Sequence, residues 1–162
     1  MFSTLLTRVL LPHLRRAAAS GPVLVQFTGS IAADIAPPRL PIYAASKGFL
    51  RSLVRGLDND ELYFGAPSGV RFSYLAVGSV HSDNHVTPMK PSLRTPTSDA
   101  FARELVARSG AARLVTPYTM HRVILWFTQN LMPDRKLDDF SAQEMKALLV
   151  EAGEAGKAGA AS

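Results

Sequence analysis

PVLVQF (residues 22–27) is almost wholly apolar, rich in β-branched side chains, and runs directly into Thr28, Gly29 and Ser30. A short segment of that kind reads as a strand buried on both faces of a parallel sheet, and the Thr-Gly-Ser ends it. Upstream, Leu6, Val9, Leu10, His13 and Leu14 recur at helical spacing and leave Arg8 and Arg15 outside. Pro12 predicts a kink in that helix, and Gly21 closes it. Downstream, a loop rich in Ala and Pro (31–41) leads to a helix over 42–58, where Ile42, Ala45, Phe49, Leu50, Leu53, Val54 and Leu57 form one apolar stripe. Gly65, Pro67 and Gly69 punctuate the next turn, VRFSYLAV (70–77) reads as a second buried strand, and Gly78 ends it. Helix, strand, helix, strand is the rhythm of a parallel α/β sheet with right-handed crossovers.

The remainder is less regular. Residues 79–98 contain three prolines and four serines with little periodicity and read as a long loop. Ser98 is placed to cap a helix reaching Arg108, and Thr116 with Pro117 to open another reaching Met132, which Pro133 stops. Ser141 and Glu144 form a capping box for a last helix to Glu151, followed by a low-complexity tail. One domain over 1–150 and a flexible tail over 151–162 are therefore expected, with no internal repeat.

Composition narrows the chemistry. With 162 residues, 47% of them hydrophobic, the chain can bury a sizeable core. The absence of cysteine removes thiol nucleophiles and Cys-based metal sites, and His13, His81, His85 and His121 form no HExxH pattern, so no metal is expected. The net charge of +5 is concentrated in residues 1–57, where Arg8, Arg15, Arg16, Arg39, Lys47, Arg51 and Arg55 face the single acid Asp34. That pole lacks interleaved stacking aromatics, so nucleic acid is not expected as a partner. Arg15, Arg16, Arg51 and Arg55 read as a solvated or subunit-contacting face, and Trp126 with Phe127 as core. No apolar run is long enough to span a bilayer. Residues 1–20 have the composition of an organelle presequence, but the helical repeat is the preferred reading.

Tyr43 and Lys47 lie at i and i+4, on one face of the second helix. A phenol titrates near pH 10, and a neighbouring ammonium favours its phenolate, which makes the proton exchangeable nearer neutrality. Ser30 ends the preceding strand, at the carboxyl edge where open α/β sheets collect ligands, and its hydroxyl can hydrogen-bond a carbonyl oxygen. Two such residues four apart occur by chance in many proteins; the order around them is what gives the pattern weight.

QFTGS (26–30), YAASKGFL (43–50) and VGSVHS (77–82), in that order, resemble the short-chain dehydrogenase/reductase family. The resemblance implies that Ser30 orients a substrate carbonyl, Tyr43 donates or accepts the proton, and Lys47 lowers the tyrosine pKa and holds the nicotinamide ribose. It further implies a cofactor contact at Gly78, Ser79, Val80 and Ser82, although Val77 and Ser82 stand where the family usually has Pro and Thr. The cofactor implied is NADP or NAD, with NADP favoured. LLTRVLLPHL (5–14) also looks like the helix that precedes the serine strand in this family, internal proline included. SDNH (82–85), FARELVARSG (101–110) and VTPYTMHRVILWF (115–127) are similar to the branch of microsomal 3-oxoacyl-CoA reductases and hydroxysteroid dehydrogenases. That branch implies a ketone or acyl substrate covered by the 79–98 loop and the Trp126 helix, and a protein either soluble in the cytoplasm or peripheral to the endoplasmic reticulum.

The fold implied is the C-terminal part of a Rossmann-like, doubly wound parallel sheet, lacking the N-terminal Gly-rich half. TGS at 28–30 is not a pyrophosphate-binding turn, and no Asn-Asn-Ala-Gly segment occurs. The family's catalytic asparagine would fall just upstream of Met1; Asn59, Asn84 and Asn130 are misplaced for it. A truncated reductase, impaired alone, is the leading expectation. Its rival is a non-catalytic remnant that captures partners through an open sheet edge, and a homo-oligomer through helices 3–19 and 42–58 fits either.

Overall fold

The computed structural model describes residues 2–64, 68–82 and 90–159. Helix α1 (Phe2–Ala18) leads to strand β1 (Val23–Thr28), the one-turn helix α2 (Ala32–Ile35) and helix α3 (Pro41–Asn59). A π-helical turn (Asp60–Phe64) follows, then β2 (Val70–Leu75), α4 (Ser98–Arg108), β3 (Leu114–Val115), α5 (Thr119–Asn130) and α6 (Asp134–Gly159). The three strands form one parallel sheet in the order β1-β2-β3. Val23 pairs with Val70 and Thr28 with Leu75, so the loops after β1 and β2 leave the sheet at one edge.

β2 is the buried centre expected of VRFSYL: every residue but Arg71 is inside. β1 is not buried on both faces as its composition predicts. Among the described residues it pairs on one side only, with Leu24 and Thr28 exposed and the residues between them half-buried. Val54 from α3 and Val70, Phe72, Tyr74 and Ala76 form the core, against which Leu11, Leu14, Val25, Phe27 and Leu50 pack. α1 carries Pro12 within an unbroken helix, leaving the Arg8 carbonyl without its usual donor four residues on.

Other boundaries move for local reasons. Leu114 and Val115 are drawn into the sheet, where Tyr74 N–H donates to Arg113 O and Ala76 N–H to Val115 O, both at 2.8 Å. Thr116 and Pro117 are therefore sheet exit, not helix start, and α5 opens at Thr119. Thr97, not Ser98, caps α4, its Oγ1 accepting from Ala100 N–H; Ser98 Oγ donates to the His81 carbonyl instead. Ser141 lies inside α6 with its hydroxyl donated back to Asp138 O, so the capping box it suggested is not used, and α6 begins at Asp134 and reaches Gly159. Gly65, Pro67 and residues 83–89, most of SDNH included, lie outside the described residues. No helix among the described residues is long and apolar enough to cross a membrane.

Candidate active site

Ser30 follows β1 directly and is 7% exposed. Its backbone is fixed by a residue that the sequence pattern does not single out. Ser30 N–H donates to the Tyr74 phenol oxygen at 2.9 Å, and that phenol donates to Ser30 O at 3.0 Å. Tyr74 reaches it from β2, where it sits opposite Phe27. The ring lies against Gly29, where a Cβ would come within 2.0 Å of it, so only glycine fits. Ser30 Oγ accepts from Ala32 N–H at 3.1 Å, and its O–H remains a donor suited to a carbonyl oxygen.

Tyr43 and Lys47 stand in the first turns of α3, which Pro41 opens. Lys47 Nζ lies 5.5 Å from the centre of the Tyr43 ring and donates to the Thr28 carbonyl at 3.2 Å. That bond docks the start of α3 on the end of β1, two residues before Ser30. Tyr43 is 44% exposed, and it is near enough to Tyr74 to act on it electrostatically. Burial pushes the Tyr74 phenol above its ordinary value, so Tyr74 stays protonated.

The loop after β2 stands beside this group. Ile31 N–H donates to Val77 O at 3.0 Å, joining the two strand-end loops directly. Gly78, Val80 and Ser82 are half-buried, and Ser79 is exposed. His81 N–H donates to Pro96 O at 2.9 Å and His81 bridges Thr97, which ties the loop to the start of α4. Gly78 N–H donates to His121 Nδ1 of α5 at 3.3 Å. Ser30, Tyr43, Lys47 and the 78–82 segment are thus brought to one end of the sheet.

The sequence pattern singles out neither Tyr74, which fixes Ser30, nor His121, which holds Gly78. Asp34 Oδ1 accepts from Arg51 and from Gln129 Nε2, so it holds α2 to both α3 and α5. The arginine face is more engaged than expected: Arg15 pairs with the buried Glu61, Arg16 with His13 and Arg51 with Asp34. Trp126 and Phe127 are not core; they are 57% and 48% exposed. A cavity of about 280 Å³ lies between α1 and α3, lined by Thr4, Thr7, Arg8, Leu11, Leu53 and Leu57, none of them in this group.

No family model matches the sequence. A very-long-chain 3-oxoacyl-CoA reductase-like protein of Arabidopsis thaliana is 31% identical over 127 residues, covering 73% of this chain and 40% of that protein. A short-chain dehydrogenase from Burkholderia cenocepacia, solved in complex with NADP, superposes with a TM-score of 0.62 at 22% identity over 80% of this chain and 51% of its own. A 3-ketoacyl-(acyl-carrier-protein) reductase from Brucella melitensis, complexed with NADH, gives 0.54 at 24% identity over 70% of this chain and 48% of its own. The chain therefore spans two-fifths to one-half of the length of these relatives. Sequence relative, parallel sheet and the order of Ser30, Tyr43 and Lys47 agree: the chain belongs to the short-chain dehydrogenase/reductase family and carries a partial Rossmann-like fold.

Proposed function

We propose that this chain bears the proton-donor part of an NAD(P)H-dependent ketone reductase. One observation supports the reading: Lys47 Nζ, beside the Tyr43 ring, is anchored on Thr28 O at the carboxyl end of β1, two residues before Ser30. The residues fit the nicotinamide end of a dinucleotide. Lys47 and Tyr43 present an ammonium and a phenol to a ribose, and Gly78, Ser79, Val80 and Ser82 offer backbone and hydroxyl groups beside them. The bound nicotinamide would supply the hydride. Ser30 O–H orients the ketone oxygen, and Tyr43 O–H delivers the proton to it. Nothing in the chain fits the pyrophosphate, because no Gly-rich strand-turn-helix occurs, so the isolated chain is a weak catalyst.

The substrate class is a 3-oxoacyl thioester or a steroid-like ketone. The names of the Arabidopsis and Brucella relatives support the first. Residues 79–98 are the substrate-side loop in this reading, and the exposed Trp126 and Phe127 supply apolar surface for an acyl chain or steroid ring. Peripheral residence at the endoplasmic reticulum goes with the same branch, and Phe2, Leu5 and Val9, all exposed on α1, suit pairing with a second copy.

The test is NADPH oxidation by concentrated chain in the presence of a 3-oxoacyl thioester. Slow reduction is expected, and Tyr43→Phe should lower it by about 10²–10⁴-fold. Unchanged turnover in the variant would overturn the proton-donor role. A second reading, partner capture through the open edge of β1, is favoured by the one-sided pairing of that strand. Stoichiometric capture without turnover would support it.

A further inference from the structure

His121 is 2% exposed and among the largest fully buried side chains, yet both ring nitrogens are engaged. Nε2 lies 2.9 Å from the Arg94 carbonyl, which only accepts, so Nε2 carries the hydrogen. In the neutral ring that leaves a lone pair on Nδ1, which is what the Gly78 N–H at 3.3 Å requires. Tyr118 meets the ring edge-on with centres 5.0 Å apart, and Phe101 of α4 lies 6.4 Å away. A Cβ on residue 78 would come within 2.8 Å of the imidazole, so the glycine is what lets the ring seat on the loop backbone. One side chain of α5 thereby joins the loop after β2 to the Ser92–Thr95 turn, whose ends exchange N–H···O bonds.

Among the described residues, the charged groups around the ring are few. Burial disfavours the imidazolium, while the Arg94 carbonyl, the Ser79 backbone and Glu104 of α4 favour it. Glu104 is already taken by Thr119 and by Arg108, and the Arg94 guanidinium faces Glu144.

We propose that His121 is a positioning residue for the cofactor-side loop: neutral, it holds Gly78 against the Ser92–Thr95 turn, and protonation at Nδ1 removes the acceptor and releases the Gly78 amide. The loop's role as cofactor contact rests on the function proposed above; the clamp itself rests on the geometry of His121. Nicotinamide binding should therefore weaken toward acid in step with this one imidazole.

The experiment is NMR of the uniformly ¹⁵N-labelled whole chain, paired with NADPH titrations over the same pH range. At neutral pH the ring should be the Nε2–H tautomer, and the Gly78 amide should shift with the His121 midpoint. NADPH affinity should fall about five- to tenfold through that midpoint, the worth of one ordinary hydrogen bond. His121→Asn, whose Oδ1 stands where Nδ1 stood but whose side chain stops short of the Arg94 carbonyl, should keep a Gly78 acceptor and bind with an affinity independent of pH. His121→Phe should bind weakly at every pH. An Nδ1–H tautomer, or a Gly78 amide indifferent to His121, would overturn the clamp. Wild-type chain that binds no NADPH at any pH would overturn the cofactor reading, and the tautomer and the Gly78 amide would still decide the clamp.

Discussion

Tyr43 and Tyr74 are both phenols of the candidate site, and their surroundings divide the work between them. Tyr74 is 1% exposed and satisfies both backbone groups of Ser30; Tyr43 is open to solvent with Lys47 beside its ring. Tyr74→Phe strands the Ser30 N–H in a buried site, while the Ser30 C=O keeps the Ala33 N–H, and should cost about 1–3 kcal/mol in a denaturant melt. Its effect on turnover should appear in kcat, because Ser30 then loses its fixed aim. Gly29→Ala would drive a Cβ into the Tyr74 ring and should cost about 1–3 kcal/mol or more by thermal unfolding; an unchanged melting temperature would refute that packing. Ser30, Tyr43 and Lys47 were legible in the sequence because their chemistry depends on spacing along a strand end and one helix face. Tyr74 and His121 were not, because their partners Ser30 and Gly78 lie more than forty positions away and no local period encodes the contact.

α1 and α3 were legible from a helical period, β1 and β2 from short apolar runs, and α4 and α5 from the turn and stop residues at their ends. β3 is two residues long and exists because β2 offers it a ladder, so Leu114 and Val115 show no alternation to read. What holds α3 to the sheet at the end away from the site is Asp58, fully buried, accepting from Arg71 at 2.8 Å, Phe72 N–H at 2.9 Å and Arg113 at 2.7 Å. Burial alone would raise its pKa, but the Arg71 pair, the Phe72 amide and Arg113 hold it down to about 2. An unfolded aspartate takes up its proton near pH 4, so the stabilisation is complete above about pH 5 and drains away as pH falls toward 2. Asp58→Asn should be less stable at neutrality and show a flatter acid limb in equilibrium unfolding; an unchanged slope would remove Asp58 from the acid transition. Asp58→Ala, which leaves the Phe72 N–H without a partner, should cost about 3 kcal/mol.

Across the whole molecule, the parallel sheet brings the loops after β1 and β2 to one edge, and the Ile31–Val77 bond joins them there. Among the described residues β1 is paired on one side only and α1 keeps exposed apolar residues, while the basic residues of the first 57 positions are partly spent on Glu61 and Asp34. The helix-strand order anticipated the α/β class, and the resemblance to half of a family domain implied an open sheet edge; composition alone could not show that β1 is half-buried, because a both-faces-buried strand and an edge strand of this kind share one composition. The central claim is that Ser30, Tyr43, Lys47 and the Gly78 loop receive a nicotinamide. It is tested most directly by titrating the folded chain with NADPH and then NADH, following nicotinamide fluorescence, with Lys47→Ala alongside. Saturable binding that Lys47→Ala weakens is the expected result; no saturation up to about millimolar cofactor would contradict it.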